Sequence, residues 1–402
     1  MDKSNKKQNK FKLVKKQKTR QRQKTRQRQK IHKRQRTIKK HHKNYFVPLA
    51  MQPNQPNMYN QGALDMKATG SYSPTINQEL ITLASIPRQK IVECNLKDAF
   101  SLKAPLQIYV DNKCYNYNTP KAEEYLLKNL KANKHIDPKQ IVPPMQAQGN
   151  CWFNAMFVTF FISDKGRKFF HFLRQLMIKG TQKNKSPIPS NLRNAFALLN
   201  FGIESSLQGT DFAYKLDTNS IIFELFRQIP DNYKQDFTAI VNVNEAGNPV
   251  LYYMSIINYL NNNSIQLLFL RNVDNNWKDT LAKTIITMTH LPHIIVIEFF
   301  EEEAKKVNKK PISFKVNNAK YEIDSAVVRD IEQEHFCATI TCEKKEMGYD
   351  GMSFHRLVPF EWKHKMNTDE TWEFNGSNHA NGKPMQWNFM KSYQLLIYYR
   401  IE

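Results

Sequence analysis

The feature that most constrains this chain is a single cysteine that opens a long apolar run. Gly149 and Asn150 precede Cys151, and apolar residues then recur three and four positions apart as far as Phe161. This spacing predicts a buried helix that begins at about Cys151. The sulfur would then lie at a helix N-terminus, where backbone N–H groups and the helix dipole favour a thiolate. We predict that Cys151 is a nucleophile; the alternative is a small buried residue in a core helix.

A nucleophilic cysteine needs a basic partner, and the candidate is His335. It stands at the first position of a segment in which apolar Phe336, Ala338 and Ile340 alternate with more polar residues. Alternation of period two predicts a strand. Other strand-like segments occur at residues 291–299, 321–328, 372–375 and 392–400. The chain is therefore predicted to place helices first and strands last, with the cysteine on the helical side and the histidine on the strand side.

Taken in order, these landmarks resemble the ubiquitin-specific protease family of papain-like cysteine proteases. That family shows a Gly-Asn-Thr-Cys box, a Leu-Pro before a buried strand, a Tyr-x-Leu, a Gly-His-Tyr box, a Trp box with an Asp or Asn just beyond, and a terminal Tyr-x-Leu-x-Tyr-x-Arg strand. The matching residues here are Gly149-Asn150-Cys151, Leu291-Pro292, Tyr321-Glu322-Ile323, Glu334-His335-Phe336, Trp372-Glu373-Phe374-Asn375 and the segment from Tyr393 to Arg400. The resemblance covers residues 140–402, but the Thr is missing, Glu replaces Gly before the histidine, and Met347 to Thr371 resembles an insertion.

The resemblance implies an α+β fold of the papain-like cysteine protease type, in which a helical lobe is followed by an antiparallel sheet lobe. A cleft between the lobes would hold Cys151 on one wall and His335 on the other. The resemblance further implies that Asn375 orients the imidazole and that the side-chain amide of Gln146 holds an oxyanion. No metal and no other cofactor is implied.

Two of these roles have alternatives. The long interval after the histidine box leaves Asp350 and Asp369 as alternatives to Asn375. Gln148 is the alternative to Gln146, since both precede the cysteine by a few residues.

The reaction that the resemblance implies is hydrolysis of an isopeptide bond at the C-terminus of ubiquitin or a ubiquitin-like protein. The chain is thus predicted to be a cysteine-type deubiquitinase whose partners are such conjugates. An alternative family is the ovarian-tumour-type deubiquitinases, whose Asp-Gly-Asn-Cys-Leu-Phe box is similar to residues 148–153. Alternative functions are a catalytically inactive ubiquitin-binding relative and a nucleic-acid-associated virion structural protein. The enrichment in Lys, Asn and Ile resembles AT-biased coding, as in many large DNA viruses and some protists, and a viral origin is the expectation.

The charge is concentrated at the start of the chain. Residues 1–44 hold 20 Lys or Arg and one acid, a net charge of +19 that leaves +5 of the total +24 for the rest. The unit Lys-Thr-Arg-Gln-Arg-Gln occurs twice, at residues 18–23 and 24–29. Such a segment has too few apolar residues to offset its chain entropy by burial, so a disordered basic arm is predicted. It is expected to be an arm that binds nucleic acid without sequence preference, or a nuclear-localisation signal; the alternative is a solubilising tail.

Three further regions follow the arm. Residues 45–90 are rich in Pro, Asn and Gln and are predicted to be a linker. Residues 91–138 are predicted to form a small module, with a hairpin around Asp111-Asn112-Lys113 and a helix that starts at Thr119-Pro120. The catalytic domain is predicted at residues 139–402.

Cysteine usage and hydropathy bear on location. The five cysteines are an odd number with no Cys-x-x-Cys pair, which predicts free thiols in a reducing compartment. No apolar run approaches the length of about 18 residues that a membrane span needs, so no membrane partner is expected. The predicted location is intracellular, in a host cytoplasm or nucleus, or within a virion.

Overall fold

The computed structural model describes residues 89–402, apart from residues 102, 148, 183–184, 217, 234–248, 261–265, 272, 289 and 308. The predictions for the basic arm, for the linker up to residue 88 and for Gln148 lie outside the described residues. The described helices are α1 (Leu96–Phe100), α2 (Pro120–Ala132), α3 (Cys151–Phe161), α4 (Asp164–Phe169), α5 (His171–Lys179), α6 (Leu192–Gln208), α7 (Thr218–Gln228), α8 (Pro249–Tyr259), α9 (Trp277–Ile286), α10 (Glu301–Lys306) and α11 (Trp362–Lys365). The described strands are β1 (Gln107–Val110), β2 (Lys113–Asn116), β3 (Leu267–Leu270), β4 (Ile294–Phe299), β5 (Ser313–Val316), β6 (Ala319–Arg329), β7 (Phe336–Cys342), β8 (Lys345–Tyr349), β9 (Leu357–Pro359) and β10 (Gln394–Arg400).

Helix α3 is the centre of the helical half. All eleven of its residues are buried, because it packs on β6 and β7 on one side and on α7 and α8 on the other. A helix that is apolar on every side can be stable only inside a core, as this one is. Residues 164–179 form two helices, α4 and α5, since the backbone leaves the helical conformation at Phe170.

Strands β3 to β10 form one eight-stranded sheet, and β1 and β2 form a separate two-stranded sheet. The order in the larger sheet is β3-β4-β10-β6-β7-β8-β9, and β5 pairs with β6 beyond this path. The pairs are antiparallel except that β3 runs parallel to β4. The predicted order of helices followed by strands holds only in part, because β1 and β2 precede most of the helices, α9, α10 and α11 lie among the strands, and residues 372–375 form no strand. The architecture is mixed α and β, with one parallel pair in a sheet that was expected to be wholly antiparallel.

The register of the β7–β8 hairpin positions the candidate site. Ala338 pairs with Tyr349, so Cys337 is the residue opposite Asp350. Side chains two residues apart share a face of a strand, which makes His335 a diagonal neighbour of Asp350. The hairpin thus brings the residue before β7 and the residue after β8 to the same end of the sheet.

The N-terminal module has the predicted hairpin and helix. Asp111 and Asn112 have the positive φ angles of a tight hairpin turn, and Pro120 is the first residue of α2. Ile108 and Leu126 of this module belong to the same buried cluster as Phe157 of α3. The module is therefore part of the main core. Within the described residues, every helix is too short or too polar to cross a membrane.

A disulfide joins Cys94 to Cys114 within this module. The prediction that all five cysteines are free thiols is wrong for this pair, because the bridge between Glu93 and Ile108 brings residue 94 beside the hairpin. Cys151, Cys337 and Cys342 are free and buried. Pairing across twenty residues of sequence is a long-range event that cysteine spacing alone did not reveal.

The disulfide predicts a thiol count and a stability effect. After denaturation without reductant, a thiol reagent should label Cys151, Cys337 and Cys342 only. Joint Cys94→Ser and Cys114→Ser substitution should lower the free energy of unfolding by about 3 kcal/mol, because the bond restricts a loop of about twenty residues in the unfolded chain. Mass spectrometry and denaturant titration measure the two effects. Labelling of all five cysteines would contradict the disulfide.

Candidate active site

Cys151 occupies the first position of α3, and the turn before it is held by side chains. The amide of Asn150 donates to the Thr218 hydroxyl at 2.8 Å. Thr218 in turn donates to the amide oxygen of Asn154, whose own amide nitrogen donates to the carbonyl of Met145 at 3.2 Å. This chain of hydrogen bonds ties the segment before the cysteine to α3 and α7. The thiol is therefore presented in a fixed position, with only 7% of the residue exposed.

His335 lies directly before β7 and is buried. Its Nε2 is 2.5 Å from Oδ1 of Asp350, and Cys151 lies close enough to the ring to help raise the pKa of His335. Since Nε2 faces the carboxylate, Nδ1 is the nitrogen left for the sulfur. The edge of Trp387 packs against the imidazole at a ring-centroid distance of 5.9 Å. The imidazole is thus held between a thiol and a carboxylate.

The charge of this trio favours a protonated imidazole. Burial alone would lower the pKa of His335, but the hydrogen bonds and negative charges of Asp350 and Cys151 raise it to about 10. Asp350 is fixed in turn, because its carboxylate accepts hydrogen bonds from the Ser377 hydroxyl and from the Met352 N–H. An imidazolium is therefore the favoured form of His335 at neutral pH.

A second buried carboxylate shapes the backbone that carries His335. Asp330 accepts from the N–H groups of His335 and Glu334 at 2.6 Å each, and from that of Glu332 at 2.9 Å. The N–H of Asp330 also donates to the carbonyl of His335 at 2.8 Å. Asp330 thereby closes the β6–β7 turn and sets the position of the histidine. Sequence reasoning missed it; a buried acid five residues before the candidate histidine was the available signal.

The group that contacts His335 is not the one that the family pattern indicated. Asn375 is exposed, and its backbone carbonyl accepts from the N–H of Phe354 at 2.9 Å. Asp369 binds Lys391 at 2.7 Å and the amide of Asn388, away from the histidine. The structure therefore corrects the placement of Asn375 and gives the position to Asp350. The physical reason is the β7–β8 hairpin, which returns residue 350 to the start of β7.

The glutamines and the remaining cysteines have distinct environments. Gln146 is half-buried in the loop before Cys151, and its backbone N–H donates to the carbonyl of Gly351 at 3.0 Å. Its predicted oxyanion role stays a prediction, and Gln148 lies outside the described residues.

Burial raises the pKa of the Cys337 and Cys342 thiols well above the ordinary value.

Hydrogen bonds join the loop before the cysteine to the loop after Asp350. Tyr349 donates its hydroxyl proton to the carbonyl of Pro144 at 2.7 Å, and Arg356 donates to that of Pro143 at 2.7 Å. A cavity of about 550 Å³ borders this junction, with Arg356 and Phe354 in its lining. Phe354 is 81% exposed, and exposed Met145 and Met352 lie on the same two loops. Exposed Tyr214, in a short 3-10 helix, lines the cavity with Phe354.

Comparison of the chain with models of known protein families and with curated proteins finds no match. Among solved structures, the chain is similar to the crystal structure of an essential yeast splicing factor, with 11% sequence identity and a TM-score of 0.32. That similarity covers 76% of this chain and 88% of the other. A likeness this weak bears on neither the family nor the function. Within the described residues, no group of His, Cys, Asp and Glu side chains could hold a metal ion.

Replacing Asp350 by Asn should lower the pKa of His335. The wild-type ring is expected to stay charged up to a pH of about 10, and the variant ring to lose its proton several units lower, since burial then dominates. Because the folded pKa is raised from 6.5, protonation stabilises the fold fully below pH 6.5 and this contribution is lost as the pH rises through about 10. The gap in free energy of unfolding between wild type and variant should shrink across that window. NMR titration of the ring and denaturation at several pH values measure both effects.

Asn375→Ala is the matched control for that substitution. Its side chain is exposed, so neither the pKa of His335 nor the rate at which a small electrophile alkylates Cys151 should change by more than about twofold. If Asn375→Ala alters both and Asp350→Asn alters neither, the histidine is oriented by the amide, as the family pattern indicated.

Asp330→Asn should slow alkylation of Cys151 by roughly tenfold to hundredfold. An amide cannot accept all three backbone hydrogen bonds, so His335 should move, and small displacements of a reacting group lower reaction rates by factors of this size. The pH profile of alkylation should shift as well, since the ring moves relative to Asp350. Glu332→Gln is the control, because it removes the same charge from the same turn at an exposed side chain. Equal effects of the two substitutions would show that charge alone matters.

Proposed function

We propose that this protein is a cysteine-type deubiquitinase with a papain-like fold, in which Cys151 is the nucleophile, His335 the general acid and base, and Asp350 the orienting group. The observation that carries the proposal is the buried imidazole of His335, which bridges the thiol and the carboxylate. A cysteine needs an adjacent base, and a base needs a fixed tautomer, to serve as such a nucleophile. This intact arrangement favours activity over a relative that only binds ubiquitin.

The first half of the reaction forms a thioester. The thiolate of Cys151 attacks the carbonyl carbon of the isopeptide bond, and the carbonyl oxygen takes up the negative charge. Free N–H groups at the start of α3, together with the amide of Gln146, would stabilise that oxyanion. The imidazolium of His335 donates its proton to the departing lysine amine as the C–N bond breaks. The acyl group then remains on the sulfur.

The second half restores the enzyme. Neutral His335 takes a proton from a water molecule, whose oxygen attacks the thioester carbonyl. The C–S bond breaks, a carboxylic acid leaves, and the proton on His335 again pairs with the thiolate. Asp350 stays ionised throughout and stabilises the imidazolium each time it forms.

The choice of a ubiquitin-like substrate rests on the sequence landmarks and on the surface around the site. The landmarks from Gly149 to Arg400 follow the order of the ubiquitin-specific protease family. The exposed side chains of Phe354, Met145 and Met352 lie on the loops next to the site, and exposed Tyr214 lines the same cavity as Phe354; such a surface would bind a protein rather than a small molecule. The low exposure of Cys151 suits a narrow, extended C-terminal peptide that ends in the scissile bond.

The basic arm adds a separate function to this proposal. Its net charge of +19 over residues 1–44 supports binding of nucleic acid without sequence preference. An enzyme held on nucleic acid in this way would act inside a host cell or within a virion. The charge of the arm is the observation that favours this second role.

A ubiquitin-based electrophile tests the enzymatic proposal. Wild-type protein should form a covalent adduct at Cys151, Cys151→Ala should form none, and His335→Ala should react roughly 10²- to 10⁴-fold more slowly because a positioned base is lost. A panel of ubiquitin-like probes identifies the modifier by gel shift, and peptide mapping locates the adduct. A protein whose Cys151 reacts with iodoacetamide but with no probe in the panel would not be a deubiquitinase.

A further inference from the structure

A cavity of about 990 Å³ lies apart from the candidate active site. Three separate chain segments line it: residues 309–312, 344–346 and 359–367. Strand β8 connects the two places, because Lys345 at its first position borders the cavity and Asp350 follows its last. Asp350 follows Lys345 by five residues along an extended strand. At roughly 3.4 Å per residue, the cavity and the active site are therefore about 17 Å apart. The cavity therefore belongs to no step of the proposed hydrolysis.

The lining of this cavity is strongly basic. Lys309, Lys344, Lys345 and Lys363 border it, together with His364. The acids among the lining residues are Glu346 and Glu361. Glu346 is occupied in part, since its carboxylate accepts the backbone N–H of Lys363 at 2.9 Å. Several cations from different segments thus converge on one concave surface.

A tight turn fixes the lysines between β7 and β8. Glu343 and Lys344 have positive φ angles, and their N–H groups donate to the carboxylate of Asp164 at 2.7 and 3.0 Å. Burial opposes ionisation of that carboxylate, but the charges of Arg167 and Lys168 hold the pKa of Asp164 below its usual value. An ionised acid therefore anchors the turn that presents Lys344 and Lys345.

Buried Lys310 fixes the other two segments. Its Nζ lies within hydrogen-bonding distance of the carbonyls of Phe389 at 2.8 Å, Met366 at 3.2 Å and Ala304 at 3.4 Å. The backbone of Lys310 also exchanges two hydrogen bonds with the side chain of Asn367, at 2.7 and 2.9 Å. Residues 309–312 and 366–367 are thereby joined. The cavity is a preformed feature of the fold and would lose little entropy on binding a ligand.

Apolar side chains lie among the lysines. Ile312 is 42% exposed, and half-buried Phe360 is backed by Trp372 at a ring-centroid distance of 5.3 Å. Pro311 and Pro359 complete this part of the lining. Grooves that bind single-stranded nucleic acid combine cations for the phosphates with aromatic or apolar faces for the bases.

We propose that this basic cavity is a binding site for the sugar-phosphate backbone of single-stranded nucleic acid, in addition to the basic arm. Lys309, Lys344 and Lys345 would contact phosphates, and Phe360 and Ile312 would contact a base. Nucleic acid is favoured over an acidic protein because residues 1–44 of the same chain carry +19 and attract the same polyanion. The basic arm would bind the nucleic acid without sequence preference, and the cavity would bind the same molecule at the surface of the folded part of the protein.

The test uses the full-length chain and a fluorescent 12-nucleotide oligouridylate. Joint Lys309→Gln, Lys344→Gln and Lys345→Gln substitution should weaken binding at least tenfold, since each lost phosphate contact weakens binding roughly fivefold at about 0.1 M salt. The slope of log affinity against log salt should flatten by about 0.7 per lost contact. Fluorescence anisotropy across a salt series measures both. Acylation footprinting should show that the oligonucleotide protects these three lysines.

The matched control is Lys97→Gln, Lys103→Gln and Lys128→Gln, which removes the same charge at three exposed lysines of the N-terminal module. This control should weaken binding less than twofold, and both triple variants should keep the wild-type rate of Cys151 alkylation. Equal losses in the two triple variants would overturn the proposal, because net charge alone would then explain the affinity. Equal protection of the cavity lysines by polyglutamate of matched charge would also overturn it, in favour of an acidic protein partner.

Discussion

The burial of α3 on all sides is the constraint on which the rest of the structure depends. This helix has no polar face, so it is stable only between the sheet and the surrounding helices. Its packing against β7 brings its first residue, Cys151, to the end of the sheet where His335 precedes that strand. The same hydrophobic contact that closes the core therefore assembles the candidate site. A nucleophile on a rigid buried helix is also better fixed than one on a loop.

At the candidate site, the unfavourable burial of the His335 imidazolium is offset by neighbouring negative charge. Removing an imidazolium from water is unfavourable, and it is tolerated here because Asp350 and Cys151 lie on two sides of the ring. Ser377 and Met352 then satisfy the carboxylate, and Asp330 fixes the turn that carries the histidine. A buried charge pair contributes mainly when its remaining hydrogen bonds are also made. The proposed chemistry and the local stability therefore depend on the same contacts.

Positive charge is used in two different ways along the chain. Residues 1–44 concentrate it in a segment with almost no apolar residues. Around residues 309–367 the lysines come from separate segments. Lys310 and Asn367 join two of these segments, and Asp164 anchors the turn that carries Lys344 and Lys345. The first arrangement is a property of composition, and the second depends on the folded segments around the cavity. Under the two proposals, both would bind the protein to nucleic acid.

The sequence by itself determined the elements that local periodicity encodes. The apolar run after Cys151, the alternation after His335, the turn at Asp111-Asn112 and the last strand were all predicted and are observed. It also determined the uneven charge of the chain, which is a matter of composition. The tertiary structure decided which residues meet across long stretches of sequence: Asp350 rather than Asn375 at His335, Asp330 at the turn, and Cys94 with Cys114. These contacts depend on strand register and on the packing of distant segments, and a period of two or of 3.6 residues carries no information about either.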